Sequence, residues 1–322
     1  QWKRCWHAFL DAALQEAGFA DPDSLPQCIP MTAQMLLTGL LIMADWIASN
    51  TTYFPLIAVT ETGSEQQYPA RVETAWQTVD LPNPWSGSLW GMDESAFEDQ
   101  FGFPPNPIQT AVMDILGNAA QPGILVLEAQ MGTGKTEAAL AGAEQLVGKG
   151  AAGGLFFGLP TQATANGLFP RICRWAAYQS EMDHDTYGIR LAHGAAALNQ
   201  QYRELFRGSA WLAEDESETT GLIAHSWFEG RKQALLADFV VGTVDQLLMA
   251  ALRQKHVMLR HLGLAGKTVV IDEVHSYSPY MNCYLDRTLT WLGAYGVPVI
   301  ALSATLPAFR RREMIAAYLS GR

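Results

Sequence analysis

The chain has 322 residues, of which 49% are hydrophobic, so it is long enough for two domains with a large buried core. This composition excludes a disordered or fibrous chain. The formal net charge of −11 argues against a protein that coats nucleic acid by bulk electrostatics, but it leaves room for a local basic groove. The longest apolar run, residues 35–44, is too short to span a bilayer, and no signal peptide opens the sequence, so we expect a cytoplasmic protein without a membrane partner.

The cysteines argue against a zinc site and against a disulfide scaffold. Cys5, Cys28, Cys173 and Cys283 are far apart, and no two of them form a CxxC pair. We therefore expect reduced thiols that are mostly buried.

Residues 1–60 are predicted to form a small all-helical segment. Apolar residues recur at helical spacing over 2–17 and again over 32–49, and prolines separate the two stretches. Asp45 lies at the polar end of the second stretch, where a lone Asp is more often a cap or a solvent-facing residue than a metal ligand. Residues 61–100 are rich in glycine and proline, with one helical stretch near 71–79, and are predicted to be a linker.

Residues 101–322 alternate between short apolar runs and segments long enough for crossover helices. This pattern predicts an α/β domain in which a parallel sheet is covered by helices on both faces. Such a sheet binds its ligands at the carboxyl ends of the strands. The apolar runs cover residues 124–127, 154–159, 239–241, 268–271 and 297–302.

A phosphate-binding loop lies between the first of these strands and the helix that follows it. Gly132 and Gly134 allow backbone N–H groups to close around a phosphate, and Lys135 brings a positive charge to the outer phosphates. The Thr136 hydroxyl can bind Mg²⁺ at the helix N-terminus. The predicted nucleotide contacts in the loop are Gln130, Met131, Gly132, Thr133, Gly134, Lys135 and Thr136.

An acidic box follows the strand at 268–271. In a nucleotide site of this kind Asp272 would hold Mg²⁺, and Glu273 would orient and deprotonate the water that attacks the γ-phosphate. His275 would sense the nucleotide from the edge of the box. Two adjacent acids could instead cap the next helix, but the upstream phosphate loop argues against that interpretation.

Two weaker signals accompany the acidic box. Ser303 and Thr305 form a small turn after the next apolar strand, and their hydroxyls can hydrogen-bond the acidic box and couple its state to the rest of the domain. Gln109 follows a proline-fixed loop, and its amide can donate and accept at once, which suits the edge of adenine.

Lys and Arg gather in two places, between Arg253 and Lys267 and again at Arg310, Arg311 and Arg312. Either group could be a solvated face or a track for phosphates. The sequence leaves both interpretations open.

The ordered set of motifs resembles the first RecA-like lobe of a superfamily-two helicase, a family in which Ala129 in place of the first loop glycine is familiar. More narrowly, the sequences around Pro160-Thr161-Gln162, Val241 to Gln246, Lys255 to Arg260 and Ala265-Gly266-Lys267 are similar to the CRISPR-associated helicase-nuclease of type I systems. The likeness covers most of the chain.

The resemblance implies an ATP-dependent enzyme that uses Mg²⁺ and acts on single-stranded DNA. The family has an N-terminal HD-type nuclease domain with a divalent transition metal, two RecA-like lobes and a C-terminal domain. Its members are recruited by the Cascade effector complex and degrade the displaced strand of foreign DNA. On this basis the chain is an incomplete portion, which ends the HD domain and contains the first RecA-like lobe but not the remaining HD and second RecA-like domains.

The resemblance also changes the expectation for Asp45. Residues 43–50 are similar to the closing helix of the family's HD domain, in which the Asp is a metal ligand. The histidines and the His-Asp pair that would complete the site are expected upstream of this sequence. His184-Asp185 is predicted to lie in a polar loop of the helicase lobe and not to be that pair.

The family's nucleic-acid motifs match turns at strand ends that offer small residues, exposed N–H groups and hydroxyls. Such turns suit a sugar–phosphate backbone and read little base sequence. His193 could equally be a packed loop histidine, and Ser278 stands where the family leads us to expect an Asp. The expected nucleic-acid contacts are Pro160, Thr161, Gln162, Gly194, Gly242, Thr243 and Asp245.

Two alternatives remain at this stage. A DEAD/DEAH-type RNA helicase lobe would share the ATP site, although the Asp45 helix and the flanking segments argue against it. A catalytically silent nucleotide-binding interaction module would not need the full set of Lys135, Thr136, Asp272 and Glu273.

Overall fold

The computed structural model describes residues 2–57, 67–87, 93–200, 202–205, 221–223 and 233–322. The chain opens with helix α1 (Trp2–Glu16) and helix α2 (Met31–Ala48), each within one residue of its predicted ends. Pro30 directly precedes α2, where its lack of an N–H costs no helical hydrogen bond. Residues 2–57 thus hold the predicted helical segment.

Part of the predicted linker packs against the domain that follows it. Helices α3 (Gln67–Val79) and α4 (Glu94–Phe101) flank Trp85, which is only 1% exposed. The Trp85 ring meets Trp175 and Phe239 edge to face, with centroid distances of 5.1 and 5.2 Å. The boundary at residue 101 stays a prediction, but Trp85 contributes to the buried core of the domain that follows it.

The centre of the fold is a seven-stranded sheet in which every neighbouring pair is parallel, as predicted. The spatial order is β1-β7-β6-β2-β5-β3-β4. Strands β3 and β4 were not predicted, because the polar Arg190 interrupts the apolar pattern of β3 and β4 has only three residues. The strands are β1 (Ile124–Glu128), β2 (Leu155–Leu159), β3 (Thr186–Ala192), β4 (Gly221–Ile223), β5 (Phe239–Thr243), β6 (Thr268–Ile271) and β7 (Val299–Ser303).

Helices cover both faces of the sheet. Phe157 of β2 belongs to a buried cluster with Leu140 and Phe169, whereas the adjacent Phe156 belongs to another with Leu289. Successive strand residues therefore enter opposite layers, as expected for a buried parallel sheet. The helices are α5 (Pro107–Asn118), α6 (Lys135–Val147), α7 (Gln162–Asp183), α8 (Val244–Leu248), α9 (Val257–Ala265), α10 (Pro279–Tyr295) and α11 (Ala308–Gly321).

Helix α2 packs against α9 through a glycine. A Cβ atom at Gly39 would lie 2.9 Å from the carbonyl oxygen of Met258, so only glycine permits this approach. The rings of Trp46 and His256 extend the contact, with centroids 5.5 Å apart. Other apolar side chains of α2 are exposed, among them Leu37 and Leu41.

Helix α2 is also longer than the apolar run from which membrane contact was excluded. Its 18 residues are long and apolar enough to cross a membrane by length and composition alone. The helix exceeds the predicted run because residues before position 35 and after position 44 continue it. The length of the apolar run therefore does not decide whether α2 could contact a membrane. The packing of Gly39 on α9 shows that one side of α2 contacts the rest of the chain.

The expectation of mostly buried thiols is wrong. Cys5, Cys28 and Cys283 are exposed, and Cys173 is buried. Cys5 lies on α1, which is exposed along nearly its whole length, and Cys283 lies on the outer side of α10. Burial raises the pKa of the Cys173 thiol to about 12.

Candidate nucleotide site and nucleic-acid edge

The phosphate loop has a backbone that favours glycine at two positions. Gly132 and Gly134 both have φ of +77°, in the left-handed region that side chains other than glycine rarely adopt. A Cβ atom at Gly134 would also lie 2.3 Å from Nε2 of Gln109. The loop can keep this shape only with glycine at these positions.

Lys135 is held by the carbonyl groups of the loop. Its Nζ donates to the carbonyl oxygens of Ala129 at 2.6 Å and Gln130 at 3.2 Å, and the residue is only 9% exposed. The hydroxyl of Thr133 also donates to the Gln130 oxygen, at 2.8 Å. The ammonium group is thereby fixed at the loop, with one N–H left for a phosphate.

The loop forms one wall of a cleft of about 450 Å³, and the acidic box forms part of another. This volume is within the usual range for small-molecule sites. Thr136 lies in the cleft wall at the first turn of α6, as a Mg²⁺ ligand requires. The lining residues are Phe103, Asn106, Gln109, Met131, Gly132, Thr133, Gly134, Lys135, Thr136, Glu137, Arg171, Asp272 and Glu273.

The carboxylates of Asp272 and Glu273 repel each other, and a bound cation would reduce this repulsion. Burial and, secondly, the neighbouring Glu273 carboxylate raise the pKa of Asp272 to about 6. Oδ1 of Asp272 accepts the Glu273 N–H at 2.9 Å, and the buried Tyr277 hydroxyl donates to the Asp272 carbonyl oxygen at 2.7 Å. Because a divalent cation stabilises adjacent carboxylates, the site fits Mg²⁺. Glu273 itself has φ of +52°, a strained conformation of the kind found at functional sites.

His275 lies between the acidic box and the hydroxyl turn. Its Nδ1 is 3.2 Å from Oε2 of Glu273 and 3.2 Å from Oγ of Ser303. Ser303 donates its hydroxyl proton to the carbonyl oxygen of Thr305 at 2.9 Å, and the Ala304 N–H donates to Nδ1 of His275 at 3.4 Å. The Ser303 hydroxyl thus contacts the acidic box through His275, whereas Thr305 contributes its carbonyl oxygen, and the coupling role of both residues stays a prediction.

Gln109 contacts the phosphate loop in this structure. Its Oε1 accepts from the Asn106 N–H at 2.8 Å, and its Nε2 donates to the Gly134 carbonyl oxygen at 3.2 Å. Asn106 adds a bond from Nδ2 to the Thr133 carbonyl oxygen at 3.0 Å. Gln109 is only 1% exposed, and its contact with adenine stays a prediction.

The expected nucleic-acid residues follow three neighbouring strands. Leu159 of β2 pairs in register with Thr243 of β5, and Gly242 of β5 pairs with Ala192 of β3. A Cβ atom at Gly242 would lie 2.7 Å from the Ala192 carbonyl oxygen, so the strands approach closely here. The turns that follow β2, β5 and β3 therefore share one edge of the sheet; these turns hold Pro160, Thr161, Gln162, Gly194 and Asp245.

Outside β5 these residues lie in turns that expose polar groups, whereas Gly242 and Thr243 are buried at the end of that strand. Thr161 caps α7 by accepting the Thr164 N–H at 3.1 Å, and Thr161 and Gln162 are exposed. A Cβ atom at Gly194 would lie 3.6 Å from Nε2 of Gln162, which places the turns after β2 and β3 side by side. Asp245 is exposed in the first turn of α8.

Two family models match the sequence. Residues 106–313 match the model for DEAD/DEAH box helicases, and residues 1–54 match the model for the Cas3 HD domain. The chain belongs to the DEAD/DEAH box helicase family. The predicted resemblance to the CRISPR-associated helicase-nucleases is confirmed by relatives that match nearly all of this helicase chain.

The relatives are much longer than this chain. It is 48% identical to the CRISPR-associated nuclease/helicase Cas3 of Streptococcus thermophilus over 321 residues, which is 100% of the chain and 34% of the relative. It is 36% identical to the CRISPR-associated endonuclease/helicase Cas3 of Thermus thermophilus, covering 98% of the chain and 34% of that protein. The chain thus spans about a third of the curated relatives it matches.

Solved structures agree with the sequence comparison. A crystal structure of T. fusca Cas3 has a TM-score of 0.81 and 34% identity, and the match covers 99% of this helicase and 35% of that chain. T. fusca Cas3 with AMPPNP has a TM-score of 0.75 and 32% identity over 99% of this chain and 34% of that one. A CRISPR RNA-guided surveillance complex, pre-nicking, matches with a TM-score of 0.66 and 31% identity over 99% and 30%.

Asp45 of the helicase chain is exposed in the last turn of α2. Within the described residues, no group of three or more His, Cys, Asp or Glu side chains is placed to hold a metal ion. His184 and Asp185 lie where expected, in a loop of the helicase lobe: His184 ends α7 with φ of +53°, and the Asp185 carboxylate accepts from Asn83 at 3.1 Å.

His193 and Ser278 of the helicase have structural contacts. Nδ1 of His193 accepts the Ala195 N–H at 3.2 Å, so Nε2 donates to Oδ1 of Asn166 at 3.1 Å. Burial lowers the pKa of His193, which favours the packed, neutral form. Oγ of Ser278 accepts the Met281 N–H at 3.3 Å and so caps α10, a role that the family's expected Asp could also fill.

Most of the clustered basic residues that were left open are engaged within the lobe. Arg310 is bound to Asp286 at 2.7 Å and is only 6% exposed. Arg260 donates to the Gln246 carbonyl oxygen at 3.0 Å, and burial lowers the pKa of Lys267 to about 8. These residues favour a structural role over a phosphate track, whereas Arg253, Lys255 and Arg312 are exposed.

Several residues of the helicase site escaped sequence reasoning. Arg171 pairs with the Glu137 carboxylate beside the phosphate loop, and Glu128 accepts the Leu306 N–H at 3.2 Å and pairs with Arg311. The two members of each ion pair are distant in sequence. Asn106 could have been found, because Asn followed by Pro is a helix-start signal.

Proposed function

We propose that this chain is the ATP-binding lobe, with the end of an HD nuclease domain, of an ATP-dependent single-stranded DNA translocase that degrades foreign DNA in type I CRISPR interference. The observation that carries the proposal is the meeting of Lys135, Thr136, Asp272 and Glu273 around one cleft. In a helicase of this class these four side chains bind Mg-ATP and activate the attacking water. Their completeness argues against a silent interaction module.

Each residue of the cleft has a separate role in the proposed hydrolysis of ATP. Lys135 binds the outer phosphates, and Thr136 and Asp272 hold Mg²⁺, which neutralises charge on the phosphates when bound. Glu273 orients the attacking water and takes its proton. His275 links that event to Ser303 through the contact of its Nδ1 with the Ser303 hydroxyl, while the buried Gln109 fixes the loop that carries Lys135.

The edge formed by the turns after β2, β5 and β3 is proposed to bind the sugar–phosphate backbone of single-stranded DNA. Thr161 and Gly194 are exposed and offer a hydroxyl, a small residue and backbone N–H groups, which suit a backbone contact without base reading, whereas Thr243 is buried at the end of β5. Since the chain has an acidic net charge, this local edge rather than bulk charge must supply the contact.

The wider assembly is proposed from the comparisons. Resemblance to a chain of a surveillance complex supports recruitment by the Cascade effector complex, and hence a cytoplasmic location. Asp45 is proposed as one ligand of a divalent transition metal in a complete HD domain, whose remaining residues would cover exposed side chains such as Leu37. The proposed organisation is residues 1–60 from the HD domain, 61–100 as linker and 101–322 as the first RecA-like lobe.

The test is the nucleic-acid dependence of ATP hydrolysis by the full-length protein. We expect single-stranded DNA to stimulate turnover strongly and single-stranded RNA of the same sequence and length to stimulate it weakly. Equal or greater stimulation by RNA would favour a DEAD/DEAH-type RNA helicase instead. Binding of ATP without hydrolysis under any condition would favour the silent module.

A further inference from the structure

Helix α7 reaches both the nucleic-acid edge and the nucleotide cleft. It starts from Thr161 and Gln162 after β2, and further along its length Arg171 lines the cleft together with Lys135 and Asp272. A displacement of the first turns of α7 could therefore change the position of Arg171 in the cleft. An element that contacts two sites is a physical route by which those sites can influence each other.

The contact between α7 and the cleft is an ion pair. Arg171 donates to the carboxylate of Glu137, which directly follows Thr136 in the first turn of α6. The Glu137 side chain is 13% exposed and that of Arg171 is 46% exposed, so the pair is partly shielded from water. The pair holds the turn that carries Lys135 and Thr136 against α7.

The first turns of α7 are hydrogen-bonded to the nucleic-acid edge through Asn166. Oδ1 of Asn166 accepts from His193 at 3.1 Å and from Nδ2 of Asn199 at 2.9 Å. His193 directly precedes Gly194 in the turn after β3, and Asn199 follows the short helix after that turn. A strand that bound across Gln162 and Gly194 would contact both segments that Asn166 joins, the start of α7 and the turn after β3.

Pro170 lies inside α7, immediately before Arg171. Proline has no N–H to donate to the carbonyl of Asn166, and its ring crowds that carbonyl, so a helix bends most readily at such a position. The first turns of α7 can therefore change direction relative to the rest of the helix at the point where Arg171 meets Glu137.

We propose that Arg171 is a positioning residue that couples DNA at the nucleic-acid edge to ATP turnover, by holding Glu137 and the first turn of α6. This inference rests on the proposed function, because it requires both DNA binding and ATP hydrolysis. Arg171 acts through Glu137 on the placement of Lys135 and Thr136 and has no chemical step of its own.

The experiment compares ATP turnover of the full-length protein with saturating single-stranded DNA and without it. The variants are Arg171→Gln, Glu137→Gln, their double mutant and Arg171→Lys. The matched control is Arg174→Gln, which removes an exposed arginine of the same helix that does not line the cleft and forms no ion pair with a described residue. DNA affinity is measured in parallel by fluorescence anisotropy.

We expect each single Gln variant to lower the ratio of stimulated to basal kcat by about two- to fivefold, the range that corresponds to measured ion-pair energies. The double mutant should lose no more than the larger single loss, since both changes break one contact. Arg171→Lys should retain most of the ratio, Arg174→Gln all of it, and DNA affinity should stay within about twofold for every variant.

Three results would overturn the inference: an unchanged ratio, losses that add in the double mutant, or a loss that disappears when the DNA concentration is raised. The last result would mean that Arg171 binds DNA directly. A wild-type enzyme that DNA does not stimulate would refute the proposed function itself, and the inference with it, so the two failures are distinguishable.

Discussion

The nucleotide cleft and the Asp45 helix were both predicted from motifs, but the predicted residues have very different surroundings in the structure. In the cleft, Lys135 and Asp272 are largely buried and fixed by hydrogen bonds within the same lobe. Asp45 is an exposed carboxylate, and no described residues join it in a metal-binding group. The phosphate loop and the acidic box follow β1 and β6, two strands of one sheet with β7 between them, so folding that sheet assembles the site. A site built from several helices depends on all of them.

The largest expected effect is on turnover in the cleft. Glu273→Gln should keep Mg-ATP binding but lower the ATPase rate of the full-length protein by about 10²–10⁴-fold, because a neutral amide can hold water but cannot take its proton. Steady-state ATPase assays and calorimetry would measure the two effects separately. Hydrolysis at the wild-type rate would refute the assignment of Glu273 as the base.

The next largest effect concerns binding. Lys135→Ala should weaken Mg-ATP binding by about 10- to 100-fold, the usual range for a lost charge-assisted hydrogen bond in a partly buried site. Calorimetry on the chain measures this loss, and Lys149→Ala is a control, since that lysine bonds to carbonyls outside the cleft. Unchanged affinity in Lys135→Ala would refute the role.

A smaller effect is expected from pH. Because the pKa of Asp272 is raised to about 6, its carboxylate is ionised above that pH and becomes protonated as the pH falls through it. Mg²⁺-dependent ATP binding should therefore weaken by up to about tenfold per unit below pH 6. Titrations at several pH values would show this, and Asp272→Asn should flatten the dependence; a wild-type affinity constant from pH 7 to pH 5 would contradict it.

The smallest effect is expected at Asp45. Asp45→Asn should change ATP affinity of the chain by less than about twofold, since distant sites act independently. The chain alone should also bind no transition metal tightly there, because one carboxylate cannot satisfy a site that needs several ligands. Metal analysis of the pure chain that gave stoichiometric iron, manganese or nickel lost in Asp45→Asn would show that the site is already complete.

The sequence predicted what is encoded locally. The strand ends and turn residues of the phosphate loop and acidic box are read from short motifs, since Gly134 and Asp272 occupy positions that their own neighbours define. The same holds for α1 and α2, whose helical periodicity is strong.

What the sequence did not predict depends on contacts between distant segments. The Trp85 contact with Phe239, the Arg171–Glu137 pair and the Glu128–Arg311 pair each join segments far apart in the chain. The exposure of Cys283 was also missed, because helical spacing alone does not say which side of α10 faces the core. Tertiary packing, rather than local pattern, decides each of these features.

The central claim is that this chain contains a complete site for binding Mg-ATP but not for rapid turnover. The matching relatives are about three times longer, and the second lobe implied by the family would supply an arginine worth about a thousandfold or more in phosphoryl transfer. The most direct test is a steady-state ATPase assay of residues 1–322 with and without single-stranded DNA, beside the full-length protein and a strand-displacement assay. The account predicts Lys135-dependent binding with poor turnover and no unwinding. Robust DNA-stimulated turnover by residues 1–322 alone would contradict it.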